Sequence, residues 1–393
     1  MKIESVDFFY FAMPQVTTEA DGSQDVLLVR VAGGGHVGYG ECEAAPLPTI
    51  AAFVCPMSHG VCRPVSASVL GERLDAPGDI ARMAAEVAYN SMDLLQAAHC
   101  WSGVEMALWD LLGKTRGVPV WSLLGHAQSH WRTPYASQLF GDTPEETLEF
   151  GRAQRQAGFR AVKFGWGPIG RAGEKEDADH FFAAREGIGE DGILLVDVGQ
   201  IYGVDVEAAA LRLPALEAAR AHWLEEPFHG HAYDAYGAFA VRSRVRLAGG
   251  EAAHNAHMAR HLIDYGKVGF VQIDCGRIGG LGPAKEVADY ARSRGVTYVN
   301  HTFTSHLALS ASLQPYAGFA ECEICEYPVK PKPVATAFVR TPLERAGDGR
   351  IRAPDRPGLG VDIDFAAARA YLLDIEIRVG AQTLYRTPAP PAT

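Results

Sequence analysis

The sequence predicts a parallel β/α barrel with its chemistry at one rim, preceded by a region of antiparallel strands and long helices. Two observations carry this. Strand-like and helix-like segments alternate from about Trp131 to Glu326, as parallel β/α units do. The strands end in polar residues at 163, 197, 225, 251, 274 and 301, with spacings of 34, 28, 26, 23 and 27. One unit of a (β/α)₈ barrel takes roughly 30 residues, and its active residues sit at the carboxyl ends of the strands. A doubly wound sheet would alternate in the same way, but no G-x-G-x-x-G follows a first strand. The nearest run, Gly276-Arg-Ile-Gly279-Gly280, has the wrong spacing.

In chain order, Val26-Leu-Leu-Val-Arg-Val31, the glycines 33–35 and Val37-Gly-Tyr-Gly-Glu41 read as a hairpin. From about Asp79 to Gly125 the texture is helical. Apolar residues at 104, 107, 108, 111 and 112 share one face, and Gly117-Val-Pro119 stops the helix. Arg132–Leu139 is the first predicted barrel strand. A helix over Thr143–Gly158 follows, with Thr143 as cap and Pro144 at its first position. Strands at 160–164, 193–197, 223–226, 246–251, 270–274 and 297–301 alternate with helices at 177–189, 206–220 and 255–265. The Pro388–Thr393 tail is expected to fray.

Composition removes several classes. The 393-residue chain carries a net charge of −11 and no basic block, a poor match to nucleic acid. No apolar run approaches the roughly 18–20 residues of a membrane span. Met1–Pro14 carries Glu4 and Asp7 around its aromatic cluster, unlike an export signal. Seven cysteines with a lone Cys322-x-x-Cys325 read as reduced, buried thiols. A cytoplasmic protein is expected.

Asp197, Glu225 and Glu251 end three consecutive predicted strands, which converge at a barrel rim. Three carboxylates there repel one another unless a cation neutralises them, and hard oxygen donors favour Mg²⁺. Asp274 and His301 end the next two strands. A carboxylate beside a histidine fixes its tautomer and raises its basicity. Lys163 is placed to hold a substrate carboxylate, to act as acid or base, or to form a Schiff base. His229-Gly-His231 follows Pro227 in a loop, not the end of a first strand where a zinc barrel needs it. His254, His257 and His261 are expected on a solvated helix face.

With those residues in place, the chain resembles the mandelate racemase subgroup of the enolase superfamily. The match is carried by Gly38-Tyr-Gly-Glu41, Gly103–Lys114 with Pro119 and Leu123-Leu-Gly125, Val162-Lys163, Val196-Asp197, Trp223-Leu-Glu-Glu-Pro227, Ala248-Gly-Gly-Glu251, Gln272-Ile-Asp274, Arg277-Ile-Gly-Gly280, His301 and Pro357-Gly-Leu-Gly-Val361. The resemblance implies a modified TIM barrel, (β/α)₇β, over residues 129–340. It implies an α+β capping domain over 1–128, to which a C-terminal segment, 341–393, returns. It implies Asp197, Glu225 and Glu251 as Mg²⁺ ligands and the His301–Asp274 dyad as acid or base, Lys163 being carried over to the position that contacts the substrate carboxylate. Superfamily sites of this kind pair a Lys or His base with Mg²⁺ that stabilises an ene-diolate. Ser137 and Trp166 are expected to touch substrate. Among Glu321, Glu323 and Glu326, the last is the best match to a carboxyl group expected near the bound carboxylate.

Departures from the pattern narrow the chemistry. Many members carry Lys-x-Lys at the second barrel strand, but Gly165 stands at the second lysine. Gly199 stands where some sugar-acid dehydratases place a histidine. Racemisation needs a base on each face of the carbon, whereas dehydration needs one base and an acid from the same side. The sequence therefore reads as a Mg²⁺-dependent dehydratase of an aldonic or aldaric acid. A racemase or epimerase, a cycloisomerase, and a non-catalytic metal- or ligand-binding barrel stay open. Specificity is expected from 14–25 and 45–65, with Asp21, Ser23 and His59 as candidates. The expected partner is a small-molecule carboxylate, and the expected assembly a closed homo-oligomer.

Overall fold

The computed structural model describes residues 1–391. Strands β1 (Ser5–Ala12), β2 (Asp25–Gly33) and β3 (His36–Cys42) form an antiparallel meander. The Ala97–Arg116 helix packs on it so closely that a side chain at Gly38 or Gly40 would run into the helix backbone at Ala107 or Gly103. The Gly-Tyr-Gly spacing of β3 thus records a helix–sheet approach. The predicted helical stretch divides into Pro77–Asn90, Ala97–Arg116 and Val120–Leu123.

The barrel strands are β4 (Thr133–Leu139), β5 (Ala161–Gly165), β6 (Ile193–Asp197), β7 (Ala221–Glu225), β8 (Arg246–Gly249), β9 (Phe270–Asp274), β10 (Thr297–His301) and β11 (Ile324–Pro328). They run in the order β10-β9-β8-β7-β6-β5-β4-β11, with parallel pairing throughout. This is the (β/α)₇β barrel. The seam lies between β10 and β11, where the Asn300 amide bridges the strands. Its Oδ1 accepts the Glu326 N–H at 2.9 Å and its Nδ2 donates to the Glu326 carbonyl at 3.4 Å.

Strand periodicity sets the rim. Tyr135, Ala161, Leu195, Trp223, Ala248, Phe270, Val299 and Ile324 form their own apolar cluster inside the barrel. Two residues further along a strand the side chain returns to the same face. That step reaches Ser137, Lys163, Asp197, Glu225, His301 and Glu326, and four residues on from Phe270 is Asp274. An apolar floor thus carries a polar rim.

One carboxylate ties cap to barrel, and a second ties the cap to the C-terminal segment. Glu105 accepts Leu281 N–H at 2.7 Å and Gly282 N–H at 2.8 Å, capping the barrel helix Leu281–Ser293. Asp110 accepts Tyr39 N–H and Leu359 N–H, both at 2.8 Å. C-terminal residues pack back on β1: Phe365 lies against Phe9 and Phe11, and Tyr385 donates to the Phe8 carbonyl. A last hairpin, β12 (Glu376–Val379) and β13 (Gln382–Arg386), follows; the end of the tail expected to fray, Ala392 and Thr393, lies outside the described residues. Among those residues no helix is long and apolar enough to cross a membrane.

Where the structure differs, the causes are local. The expected 206–220 helix breaks at Leu211-Arg212, just before Pro214, into Val206–Ala210 and Leu213–Ala218. His254 precedes the Ala256–Asp264 helix and so does not share its face; its Nδ1 meets His99 Nε2 at 3.0 Å. Cys322 and Cys325 are buried and free.

Candidate active site

Strand register assembles the rim. Ser137 is paired with Lys163, Gly165 with Asp197, Asp197 with Glu225, and Asp274 with His301. A cavity of about 280 Å³ opens above, lined by Ser137, Lys163, Asp197, Glu251, His301 and Trp166 among others.

Lys163 is buried, with Nζ 2.8 Å from Glu225, 3.0 Å from Glu326 and 3.7 Å from Asp197. Burial opposes its charge, but those carboxylates more than compensate and hold its pKa well above the ordinary lysine value. His301 Nδ1 lies 2.7 Å from Asp274 and Nε2 lies 2.9 Å from Glu251. Burial again opposes the charged form. Glu251 and Glu326 outweigh it, so the imidazole is raised well above its usual pKa. Asp274 also accepts Gly276 N–H at 2.6 Å, which fixes the dyad from the loop side.

Asp197, Glu225 and Glu251 reach the rim as expected. Burial, first, and mutual repulsion push Asp197 up to about 7 and Glu225 up to about 8, against the pull of Lys163. Glu251 runs the other way: against burial, His301 and Arg277 hold it well below a normal glutamate. Among the described residues, the group whose ligand atoms all fall within 4.8 Å of one another is Glu43, Asp274 and His301. The three acids are instead held by separate cations, Lys163 on Asp197 and Glu225, Arg277 and His301 on Glu251. As a donor set they fit a hard divalent cation: all are carboxylates, Asp197 and Glu225 are buried, and burial raises both.

Glu326 reaches the rim from β11. It is 0% exposed and does not line the cavity. It accepts Ser137 Oγ and Thr302 N–H, each at 2.7 Å, and pairs with Lys163, and so holds those groups in place. Glu321 is exposed and paired with Arg292, and Glu323 precedes β11 on the surface. Trp166 lies where expected, 38% exposed on the cavity wall. Asp21 lines the cavity and accepts the Ser23 N–H and hydroxyl, while His59 sits outside it on Asp93. His229 and His231 stack on each other in a loop.

The wall opposite the dyad is built from glycine and indole. A Cβ at Gly165 would lie 3.1 Å from Asp197 Oδ2. Gly199 has φ +53, and a Cβ there would lie 2.5–2.7 Å from three indole carbons of Trp166. The ring thus fills the space a side chain at 199 would take.

Two residues escaped the sequence reading. Glu43, from the cap, accepts Arg277 at 2.8 Å, and Arg277 also donates to Glu251 at 3.0 Å. Arg277 was visible inside the Arg-Ile-Gly-Gly motif, and Glu43 two residues beyond Glu41.

A parallel barrel with acids, a lysine and a carboxylate-bound histidine at its rim, beneath an α+β cap, defines the enolase-type class of enzyme barrels. The chain belongs to the mandelate racemase / muconate lactonizing enzyme family of that superfamily: the family's N-terminal domain matches residues 10–125, and the enolase C-terminal domain-like model matches 146–368. It is 66% identical to a protein from Rhodobacter sphaeroides whose crystal structure is described as a "predicted Mandelate racemase". That match covers 99% of this chain and 100% of the other, with a TM-score of 0.95. It is 31% identical to the D-galactarolactone cycloisomerase of Agrobacterium fabrum, over 67% of this chain and 71% of that one. It is 28% identical to the L-talarate/galactarate dehydratase of Salmonella typhimurium, over 70% of this chain and 65% of that one.

Proposed function

We propose that the protein is a Mg²⁺-dependent acid-sugar dehydratase that removes the proton α to a carboxylate and expels the β-hydroxyl, giving a 2-keto acid. The observation that carries the reading is the one-sided rim. The His301–Asp274 dyad stands on one face, while glycines at 165 and 199, with the Trp166 ring, occupy both positions at which the family resemblance would put a second base. Asp197, Glu225 and Glu251 would hold the metal. When bound it supplies charge stabilisation for an enediolate, worth several kcal/mol. Lys163 binds the substrate carboxylate from the rim. His301, in its neutral form and released from Glu251, takes the α-proton on its Nε2 and returns it to the departing hydroxyl, and Asp274 keeps Nδ1–H oriented. Relatives named as dehydratases of acid sugars support the substrate class. The free thiols fit a reducing, cytoplasmic setting, and a closed homo-oligomer remains part of the proposal.

The test is a panel of aldonic acids, aldaric acids and their lactones, with Mg²⁺ in D₂O, reading keto-acid formation and α-deuterium together. Keto acid that disappears in His301→Asn and with chelator is the expected result. Deuterium uptake without keto acid would replace the reading with a racemase or epimerase using Lys163 as second base. Lactone consumption without keto acid would replace it with a cycloisomerase.

A further inference from the structure

Beyond the inner cavity the mouth opens into a second chamber of about 550 Å³. Both spaces are lined by Ala20, Asp21, Gln138, Leu139, Trp166 and Phe303, so they are continuous, with Trp166 on the shared wall. The outer chamber carries three cations, Arg171, Lys330 and Lys332. Lys332 is already neutralised, with Nζ 3.0 Å from Glu19 and 3.6 Å from Asp21. Arg171 and Lys330 pair with no carboxylate among the described residues. Arg171 donates Nε to the Gly167 carbonyl at 3.1 Å, which ties it to the Trp166 loop and leaves its terminal nitrogens free. Lys330 is exposed, has φ +61, and holds Nζ 5.1 Å from the Phe150 ring centre. The remaining acids on this wall, Asp142 and Glu146, sit at the start of the Pro144–Gln156 helix. The Glu146 carboxylate accepts the Asp142 N–H at 2.8 Å, and the helix's positive end takes up acidic charge there.

We infer that the outer chamber is a subsite for a second anionic group, distal to the carboxylate held at the rim, so that the substrate is an aldaric rather than an aldonic acid. This rests on the function proposed for the inner cavity. A free guanidinium fork matches a carboxylate bidentately, and an ammonium adds a point charge. Phe140, Phe150 and Val329 on the same wall reduce solvent screening of those contacts.

The experiment compares KM for six-carbon mono- and dicarboxylates, with Mg²⁺, in the wild type and in Arg171→Gln, Lys330→Met and their combination. Both side chains are exposed, so folding is not at stake. The dicarboxylate should have the lower KM, and the double variant should raise it about tenfold with kcat little changed. The ratio between the two acids should collapse. A 6-phosphorylated aldonate preferred over the aldarate, with the same dependence on both residues, would keep the anion subsite and change its group to phosphate. Equal KM for both acids in the wild type, or a double variant that raises both alike, overturns the inference. If no acid is turned over, the proposed reaction fails by itself. Calorimetric titration of the same acids into wild type and double variant then still decides the subsite.

Discussion

Gly199→Ala tests whether the Trp166 ring really occupies the second-base position. Two costs are separable. Gly199 has φ +53, and alanine in that left-handed conformation costs about 1 kcal/mol. The new methyl would sit 2.5 Å from Cδ2, 2.6 Å from Cε2 and 2.7 Å from Cε3 of Trp166. That is about 1 Å inside normal carbon contact, and overpacking of this kind costs about 1–3 kcal/mol. The ring is 38% exposed and its backbone N–H is held by the Asp197 carbonyl at 3.0 Å, so the ring swings outward while the loop stays. The expected stability loss by urea denaturation is then about 2 kcal/mol. On a Trp166→Ala background only the strain remains, about 1 kcal/mol, leaving a coupling of about 1 kcal/mol in the double-mutant cycle. With the wall displaced, KM should rise about tenfold. Equal cost on both backgrounds, with KM unmoved, would refute the packing argument and with it the single-faced site.

Three further outcomes follow, two from beneath the rim and one on it. His222, half-buried between Trp223 and Phe270, is lowered to about 4, first by burial and then by Arg246. Its folded pKa lies below the unfolded 6.5, so stability is complete above pH 6.5 and lost as pH falls toward 4. The full shift is worth about 3 kcal/mol, and solvent screening leaves about 1–2; His222→Gln should flatten urea midpoints between pH 7.5 and 5. Asn300→Ala orphans the buried Glu326 N–H and the Tyr316 hydroxyl at the barrel seam and should cost about 3–5 kcal/mol in denaturant unfolding. Asp274→Asn keeps shape but alters the bond to His301 Nδ1. The rate of α-proton removal should fall at least about a hundredfold, with KM nearly unchanged in steady-state assays.

The rim was readable because strand chemistry is local. A β-strand repeats every two residues, so one polar residue after an apolar run marks both the strand's end and its inward face. Asp197, Glu225, Asp274 and His301 needed nothing more, and register then set them side by side. Glu43 and Arg277 depend on contact between cap and barrel across 234 positions of sequence, and no periodicity encodes that meeting. Glu326 shows the same limit in reverse. Its strand and face were legible, but its depth was not, because Ser137 and Thr302 close over it from two other strand ends. The break at Leu211-Arg212 was hidden by a helical texture on both sides, with Pro214 as its one local sign.

The residues that say most about the chemistry have no side chain. In sequence, Gly165 reads as an absent lysine and Gly199 as an absent histidine. The structure adds that they flank one acid. Gly165 is in register with Asp197, and the backbone N–H of Gly199 is bound to the Asp197 carboxylate at 2.9 Å, so both flank the same acid. Trp166, next in sequence to one glycine, covers the other. A base restored at 165 would crowd Asp197, and one restored at 199 would first have to displace the indole. At 165 and 199, then, the space for a side chain is closed by Asp197 and by the indole. Gly199→His therefore needs a second change at 166, whereas Gly165→Lys meets Asp197 alone, so the two single variants should differ: the first should disturb the Trp166 loop and the second the Asp197 carboxylate.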